Sequence, residues 1–379
     1  MSQPLAEPGF AVNYPGRLAR QDGSAPMFVG DDEAMSDVYL HVGPVKTGST
    51  YLQSILWNSR DALREQGVLL PGAHPNEFFL AANDVQGGRF VLVDLPESEG
   101  AWTRVAARAG SWPGRVLITC ELLGFSERDH VQHVVSSLAP ATLHLVVMAR
   151  CRADMLPSVY QETVKMVDPD QSWEDFLRAY RGSHGTWRHS PGTILGRWLP
   201  YVPPQRVHVV TVPRRAADPG LLRRRFARAT GIDDSRLSTT AAANTSLDAI
   251  DVELLRAVTA RTSERLDRRA QRGLIGHLIP LLRELDRPRR PLRLPASFQP
   301  LMSEAAVRDM AAIGAAGCHV HGDLDELLPG KEAFEDERET SRQVAQADIL
   351  NAAIDALVRS AQTQCPPRGG TCHGERAAG

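Results

Sequence analysis

Lysine is almost missing from this chain. Of 43 Lys+Arg residues, only Lys46, Lys165 and Lys331 are lysine. The sequence uses arginine by habit, so each lysine marks a place where a compact, rotatable point charge is wanted. Cysteine is scarce too: Cys120, Cys151, Cys318, Cys365 and Cys372 make an odd set of five. That argues against a disulfide scaffold. Cys120 and Cys151 fall at apolar strand ends and read as free thiols of a reducing compartment. No apolar run approaches the length of a membrane helix, and the N-terminus lacks a basic-then-apolar signal pattern. The expected location is the cytoplasm, with no membrane span. A formal net charge of −2 gives no reason to expect nucleic acid as a partner. The arginine runs Arg214-Arg215, Arg223–Arg225 and Arg287–Arg290 read as solvated helix ends and loops. Internal repeats are absent.

What is there is a soluble-type composition, 42% hydrophobic over 379 residues, enough for one large or two smaller domains. Residues 1–36 read as a disordered extension, and Met35 could be an alternative start. Residues 37–330 read as one α/β domain, turning helical from about 244, and 331–379 as a polar tail with one helix near Ala345–Arg359 and a disordered end. The strand candidates are Val38–Val42, Val68–Leu70, Arg115–Cys120, Thr142–Ala149 and Arg206–Val212. Helices are predicted over Thr50–Gln66, Arg128–Leu138, Asp154–Val167, Trp173–Tyr180 and Gly220–Thr230. Alternation of this kind predicts a mainly parallel sheet covered by helices on both faces. Farther on, Asn244-Thr245-Ser246 should cap a helix carrying Leu247, Ile250, Leu254 and Val258 on one face. Helices over Leu274–Leu285 and Ser303–Ala316 should follow, with Arg287–Pro300 as a loop between them.

The most telling stretch is Tyr39–Gln53, YLHVGPVKTGSTYLQ. A buried strand meets the loop Gly43–Ser49, and an amphipathic helix begins at about Thr50. Loop N–H groups and the helix dipole converge on one point, and Lys46 adds a full positive charge. A phosphate- or sulfate-bearing ligand is the expectation. The nucleotide-triphosphate loop needs Gly-Lys-Ser/Thr and an outer glycine. Here Val45 precedes Lys46, and Leu40 stands at the outer position. About a hundred residues on, ATLHLVVMAR (Ala141–Arg150) is an apolar strand ending in arginine, followed by CRADMLPSVYQETVK. A guanidinium there offers phosphate a charge-assisted fork. Ser158 should lie in or near the first turn of the next helix, where Pro157 is tolerated and anions are favoured.

In order and spacing, Gly43–Tyr51 and Arg150–Lys165 resemble the two cofactor motifs of sulfotransferases that use 3′-phosphoadenosine 5′-phosphosulfate (PAPS). The layout Asp37–Leu328, with GVLLPG at Gly67–Gly72 and RVHVVTVP at Arg206–Pro213, resembles bacterial sulfotransferase-like proteins. The resemblance implies a P-loop-like α/β fold and sulfuryl transfer to a hydroxyl or amine of a small-molecule or carbohydrate acceptor. It implies that Lys46, Thr47, Gly48, Ser49 and Thr50 hold the 5′-phosphosulfate, and that Arg150 and Ser158 hold the 3′-phosphate. Tyr51 stands where relatives usually carry tryptophan against the adenine, and a tyrosine ring can still stack. No metal is expected.

Sulfuryl transfer resembles phosphoryl transfer, an in-line displacement catalysed by positioning and charge. Lys46 is the residue expected at the leaving oxygen. The acceptor must also lose a proton, which calls for a general base. Glu121, ending the strand RVLITCE, is the first candidate. Its bland alternative is an acid that complements a helix dipole. His74, in PGAHPNEFF, is the histidine candidate. Cys318-His319-Val320-His321-Gly322-Asp323 is too compact for a structural zinc site and reads as a strand end with exposed imidazoles. Two other functions stay open: a nucleotide-dependent small-molecule kinase with a degenerate loop, and a catalytically silent nucleotide-binding relative. The kinase lacks its Gly-Lys-Ser/Thr step and a magnesium-binding aspartate at a strand end. Acceptor choice should lie in the loops Gly72–Asp84 and Gly182–Thr193, and the oligomeric state is open.

Overall fold

The computed structural model describes residues 36–88, 95–166, 171–182, 190–214, 218–239, 247–336 and 344–364. The expected N-terminal extension, the caps Asn244-Thr245-Ser246, Cys365 and Cys372 lie outside the described residues. By its contacts the chain divides into two units, 1–244 with 293–340, and 245–292 with 341–379.

The strands of the first unit are β1 (Asp37–Val42), β2 (Val68–Leu69), β3 (Arg115–Thr119), β4 (Thr142–Ala149), β5 (Val207–Thr211), β6 (Leu294–Pro295), β7 (His319–His321) and β8 (Phe334–Glu335). All but β6 and β8, which pair with each other, form one parallel sheet in the order β2-β3-β1-β4-β5-β7. In register, Leu40 lies between Ile118 and Leu145, all fully buried. The near-continuous apolar run of β4 is what a parallel strand covered on both faces requires. This is the α/β architecture that the alternating pattern predicts. From β1 the chain passes to the edge strand β2, returns inward as β3, and then crosses to β4, β5 and β7 on the other side of β1. The topological switch therefore falls at β1, where such sheets open a crevice at their carboxyl ends.

The helices of this unit before residue 245 are α1 (Ser49–Asn58), α2 (Arg60–Glu65), α3 (Glu77–Val85), α4 (Ala101–Gly110), α5 (Arg128–Leu138), α6 (Arg152–Met166), α7 (Trp173–Gly182), α8 (Pro191–Trp198) and α9 (Leu221–Thr230) among the described residues. The single helix expected over Thr50–Gln66 is divided at Ser59. That residue leaves helical geometry, and its buried hydroxyl accepts the Ser238 N–H at 2.7 Å. The stretch Gly72–Asp84, expected as a loop, is mostly α3. Phe78, Leu80, Ala81 and Ala82 are buried together, so no single apolar stripe announces the helix. At the end of the other expected loop, Pro191-Gly192 open α8 instead of breaking it. Proline suits the first helical position, and the Ser190 hydroxyl accepts the Thr193 N–H at 3.1 Å.

The second unit holds α10 (Ala249–Thr262) and α11 (Arg268–Arg283), both starting earlier in the chain than α12 (Gln299–Ala315) of the first unit, and α13 (Gln346–Gln364). Here α13 packs on α10 and α11. Asp248 caps α10 in a reciprocal box with Asp251. The reading of Arg287–Arg290 as solvated loop is corrected: Arg287 forks onto Asp248 at 2.7 and 2.9 Å and also reaches Asp251, and Arg289 reaches Asp251 at 2.9 Å. Both carboxylates are buried, and a buried carboxylate requires a cation. In the first unit, Arg225 likewise forks onto Glu326, at 3.0 Å through one nitrogen. Among the described residues no helix is long and apolar enough to cross a membrane.

Candidate active site

Three neighbouring strands, β3, β1 and β4, each deliver one singled-out residue at the carboxyl end. After β1 the chain enters the loop Gly43–Gly48 before α1. Lys46 has φ 64 and Gly48 has φ 87, so the loop turns twice through the left-handed region. Glycine accepts that geometry freely, whereas a lysine does so only when its surroundings hold it. Arg150, just beyond β4, supplies part of that hold by donating from Nη1 to the Lys46 carbonyl at 2.5 Å. The structure therefore brings Lys46 and Arg150, 104 residues apart in sequence, into direct contact.

Glu121 opens the turn after β3. Its carbonyl accepts the Gly43 N–H at 3.2 Å, and its carboxylate accepts from Gln53 Nε2 at 2.8 Å. Gln53, on α1, is a neighbour of Glu121 that sequence reasoning missed. The signal was its place on the same helix as the loop, five residues after Gly48. Within the loop the Thr47 hydroxyl is fully buried and donates to the Pro44 carbonyl at 2.9 Å. The Thr47 hydroxyl proton is thus already used within the loop. Ser49 is buried at the first residue of α1, and Thr50 is exposed beside it. The Tyr51 hydroxyl donates to the Pro219 carbonyl at 3.1 Å, which carries its ring toward the start of α9.

Ser158 is not in a first turn. Helix α6 starts at Arg152, so Pro157 lies inside it and Ser158 nearly two turns in. The early start has a cause: Arg152 is buried and forks onto buried Asp309 of α12, at 2.8 and 2.7 Å. Ser158, Glu162 and Lys165 then fall at i, i+4 and i+7, on one face of α6. Lys46 meets that face, its Nζ 2.9 Å from Glu162 Oε1. The same oxygen lies 3.0 Å from Lys165 Nζ. Burial pushes the Glu162 carboxyl up, but attraction to Lys46 and Lys165 outweighs it and holds the group below the usual carboxylate range. Glu162 was not singled out in the sequence.

His74 stands exposed on the approach to α3, close to buried Glu77, which accepts the Ala73 N–H and pairs with Arg108. No hydrogen bond or ion pair among the described residues joins His74 to the Lys46 loop. The thiols nearby are inert: Cys120 is buried and its Sγ donates to the Phe78 carbonyl at 3.0 Å, and burial, then Asp154, raises Cys151 to about 11. Among the described residues no group of three or more His, Cys, Asp or Glu is placed to hold a metal ion. The run Cys318–Asp323 instead holds edge strand β7, with His319 exposed.

No family model matches the chain, and no curated protein does. Among solved structures, it is similar to a sulfotransferase from Alicyclobacillus acidocaldarius. The identity is 16%, the overlap covers 63% of this chain and 95% of that one, and the TM-score is 0.35. An assignment of activity has to rest on the site's own residues.

Proposed function

We propose that this chain is a PAPS-dependent sulfotransferase that moves a sulfuryl group to a hydroxyl or amine of a small acceptor. The observation that carries the reading is the convergence at the switch point: a lysine loop after β1, a carboxylate after β3 and an arginine after β4, on adjacent strand ends. Open parallel sheets bind ligands there. The loop precedes a helix N-terminus, which favours an anion. Arg150 and the Ser158 face of α6 suit the donor's 3′-phosphate, as a guanidinium with a hydroxyl nearby suits any phosphate. An anionic substrate suits these donors, which are cationic side chains, backbone N–H groups and hydroxyls.

Transfer then needs three things from the protein. The acceptor oxygen or nitrogen attacks sulfur in line, the bond from sulfur to the bridging phosphate oxygen breaks, and its electron pair stays on the phosphate. Lys46 neutralises that oxygen as its charge grows, and fixed donors of this kind dominate such catalysis. Glu121 takes the acceptor's proton. Gln53 orients the carboxylate by donating to one of its oxygens, which leaves the other free. His74, exposed and paired with no part of the loop, is the weaker base candidate.

The test is release of adenosine 3′,5′-bisphosphate from PAPS across a panel of hydroxyl and amine acceptors. With a productive acceptor, Glu121→Gln should lower kcat about 10²–10⁴-fold with donor affinity nearly intact. A Glu121→Gln enzyme that turns over normally while His74→Ala is dead moves the base to His74. Absence of turnover with every acceptor, under conditions where the bisphosphate binds, favours a silent binding protein.

A further inference from the structure

We infer that Glu162 is a positioning residue that parks the Lys46 ammonium in the resting protein and yields it to the anionic group of an incoming ligand. The identity of that ligand as a phosphosulfate donor rests on the proposed function; the parking contact itself does not.

The contact is direct. Glu162 Oε1 is 2.9 Å from Lys46 Nζ and 3.0 Å from Lys165 Nζ. Two of only three lysines in the chain thus meet at one carboxylate oxygen. The compact ammonium on a flexible stem suits sharing an oxygen and then swinging away better than arginine's rigid planar fork does. The ends of Lys46 are unequal. Its backbone is held in the left-handed region, with its carbonyl bound by Arg150. Its ammonium sits on a flexible stem and is 30% exposed. Motion is therefore confined to the side chain, between the carboxylate on α6 and the mouth of the loop.

The energetics favour exchange over a fixed bridge. An ion pair this accessible to water contributes about 0–1 kcal/mol. A multiply charged anion seated on loop N–H groups outcompetes it, and a weak monoanion does not. Departure of Lys46 does not strand a carboxylate, because Lys165, only 11% exposed, stays on the same oxygen. Glu162 would thereby keep the catalytic lysine from holding stray anions and release it to the donor.

The experiment uses the full chain with its lysines dimethylated by ¹³C-formaldehyde, which keeps their charge and gives three lysine signals to follow by NMR. The Lys46 signal is assigned from Lys46→Arg. In the wild type, inorganic sulfate should move the Lys46 signal while Lys165 stays near its starting position. In Glu162→Gln the Lys46 signal should be displaced before any ligand is added, and sulfate should bind about two- to fivefold more tightly. Glu162→Asp, which keeps the charge, should restore most of the wild-type sulfate affinity. A Lys46 signal indifferent to sulfate in the wild type overturns the proposal even if Glu162→Gln does not fold. So does a folded Glu162→Gln with unchanged or weaker sulfate binding. If these signs appear but adenosine 3′,5′-bisphosphate fails to bind, the proposed donor is wrong and the role of Glu162 stands.

Discussion

Lys46 is the residue to which we assign the chemistry of this site, and its surroundings bear on why it is not arginine. Its left-handed backbone, the Arg150 bond to its carbonyl and the Glu162 contact at its tip leave one freedom, rotation of a thin stem. If that freedom serves charge that grows during transfer, Lys46→Ala should lower kcat more than it weakens donor binding. Lys46→Arg should rescue poorly. Steady-state kinetics with PAPS decide this, and an arginine variant with full activity would contradict it. Lys46 was legible because lysine is rare here and because the loop's order is distinctive. Glu162 and Gln53 were not. Each is an ordinary polar helix residue in sequence, and its meaning comes from a neighbour 116 or 68 positions away that only folding brings near.

The turn after β3 and the lysine loop are pressed together more closely than any side chain permits. A Cβ on Gly124 would stand 2.3 Å from the Gly43 carbonyl oxygen, a backbone atom that cannot step aside cheaply. Gly124→Ala should therefore lower stability by about 1–3 kcal/mol and weaken anion binding by shifting the loop. Gly273→Ala, in the interior of α11 with nothing within 4 Å of the new methyl, should instead stabilise by about 0.4–1 kcal/mol. Urea midpoints of the two variants against wild type check both signs, and equal destabilisation would contradict the close approach. The strands were legible because parallel strands must be apolar on both faces, and α5 because its apolar period is clean. Helices α3 and α8 were hidden: one lacks a single apolar stripe, and the other begins with residues that usually break helices. Ser158 lies deeper in α6 than the expected first turn, because the predicted start at Asp154 misses the Arg152–Asp309 fork, with which the helix begins two residues earlier.

The whole molecule should be sensitive to acid for a reason set inside the sheet. His41 of β1 is fully buried, with Nδ1 2.8 Å from Thr119 Oγ1, and burial lowers its pKa to about 3. Burial first, then His321, His144 and His319, lowers His208 to about 4. The unfolded chain takes protons on these rings near pH 6.5, and the native state refuses them. Their contribution is thus complete above about pH 6.5 and is lost as pH falls toward 4 and then 3. Between those limits His41 alone should add a slope of about 1.4 kcal/mol per pH unit. Denaturant midpoints measured from pH 7.5 to 4.5 should fall steadily, and less steeply in His41→Asn. A flat wild-type profile would contradict the burial. At this scale the parallel architecture was readable from the alternating pattern. The second unit was not, because it joins two segments separated by about 48 residues of the first.

Under the proposed function, Lys46 and Arg150 together recognise a nucleotide bearing both a 3′- and a 5′-phosphate. Calorimetric titration of adenosine 3′,5′-bisphosphate and of ATP, each with and without magnesium, tests it in one protein. The bisphosphate should bind without magnesium and more tightly than ATP. Arg150→Ala should weaken it by about 2–3 kcal/mol while affecting adenosine 5′-phosphosulfate far less. Tighter binding of ATP with magnesium, or equal losses for both ligands in Arg150→Ala, would contradict the claim.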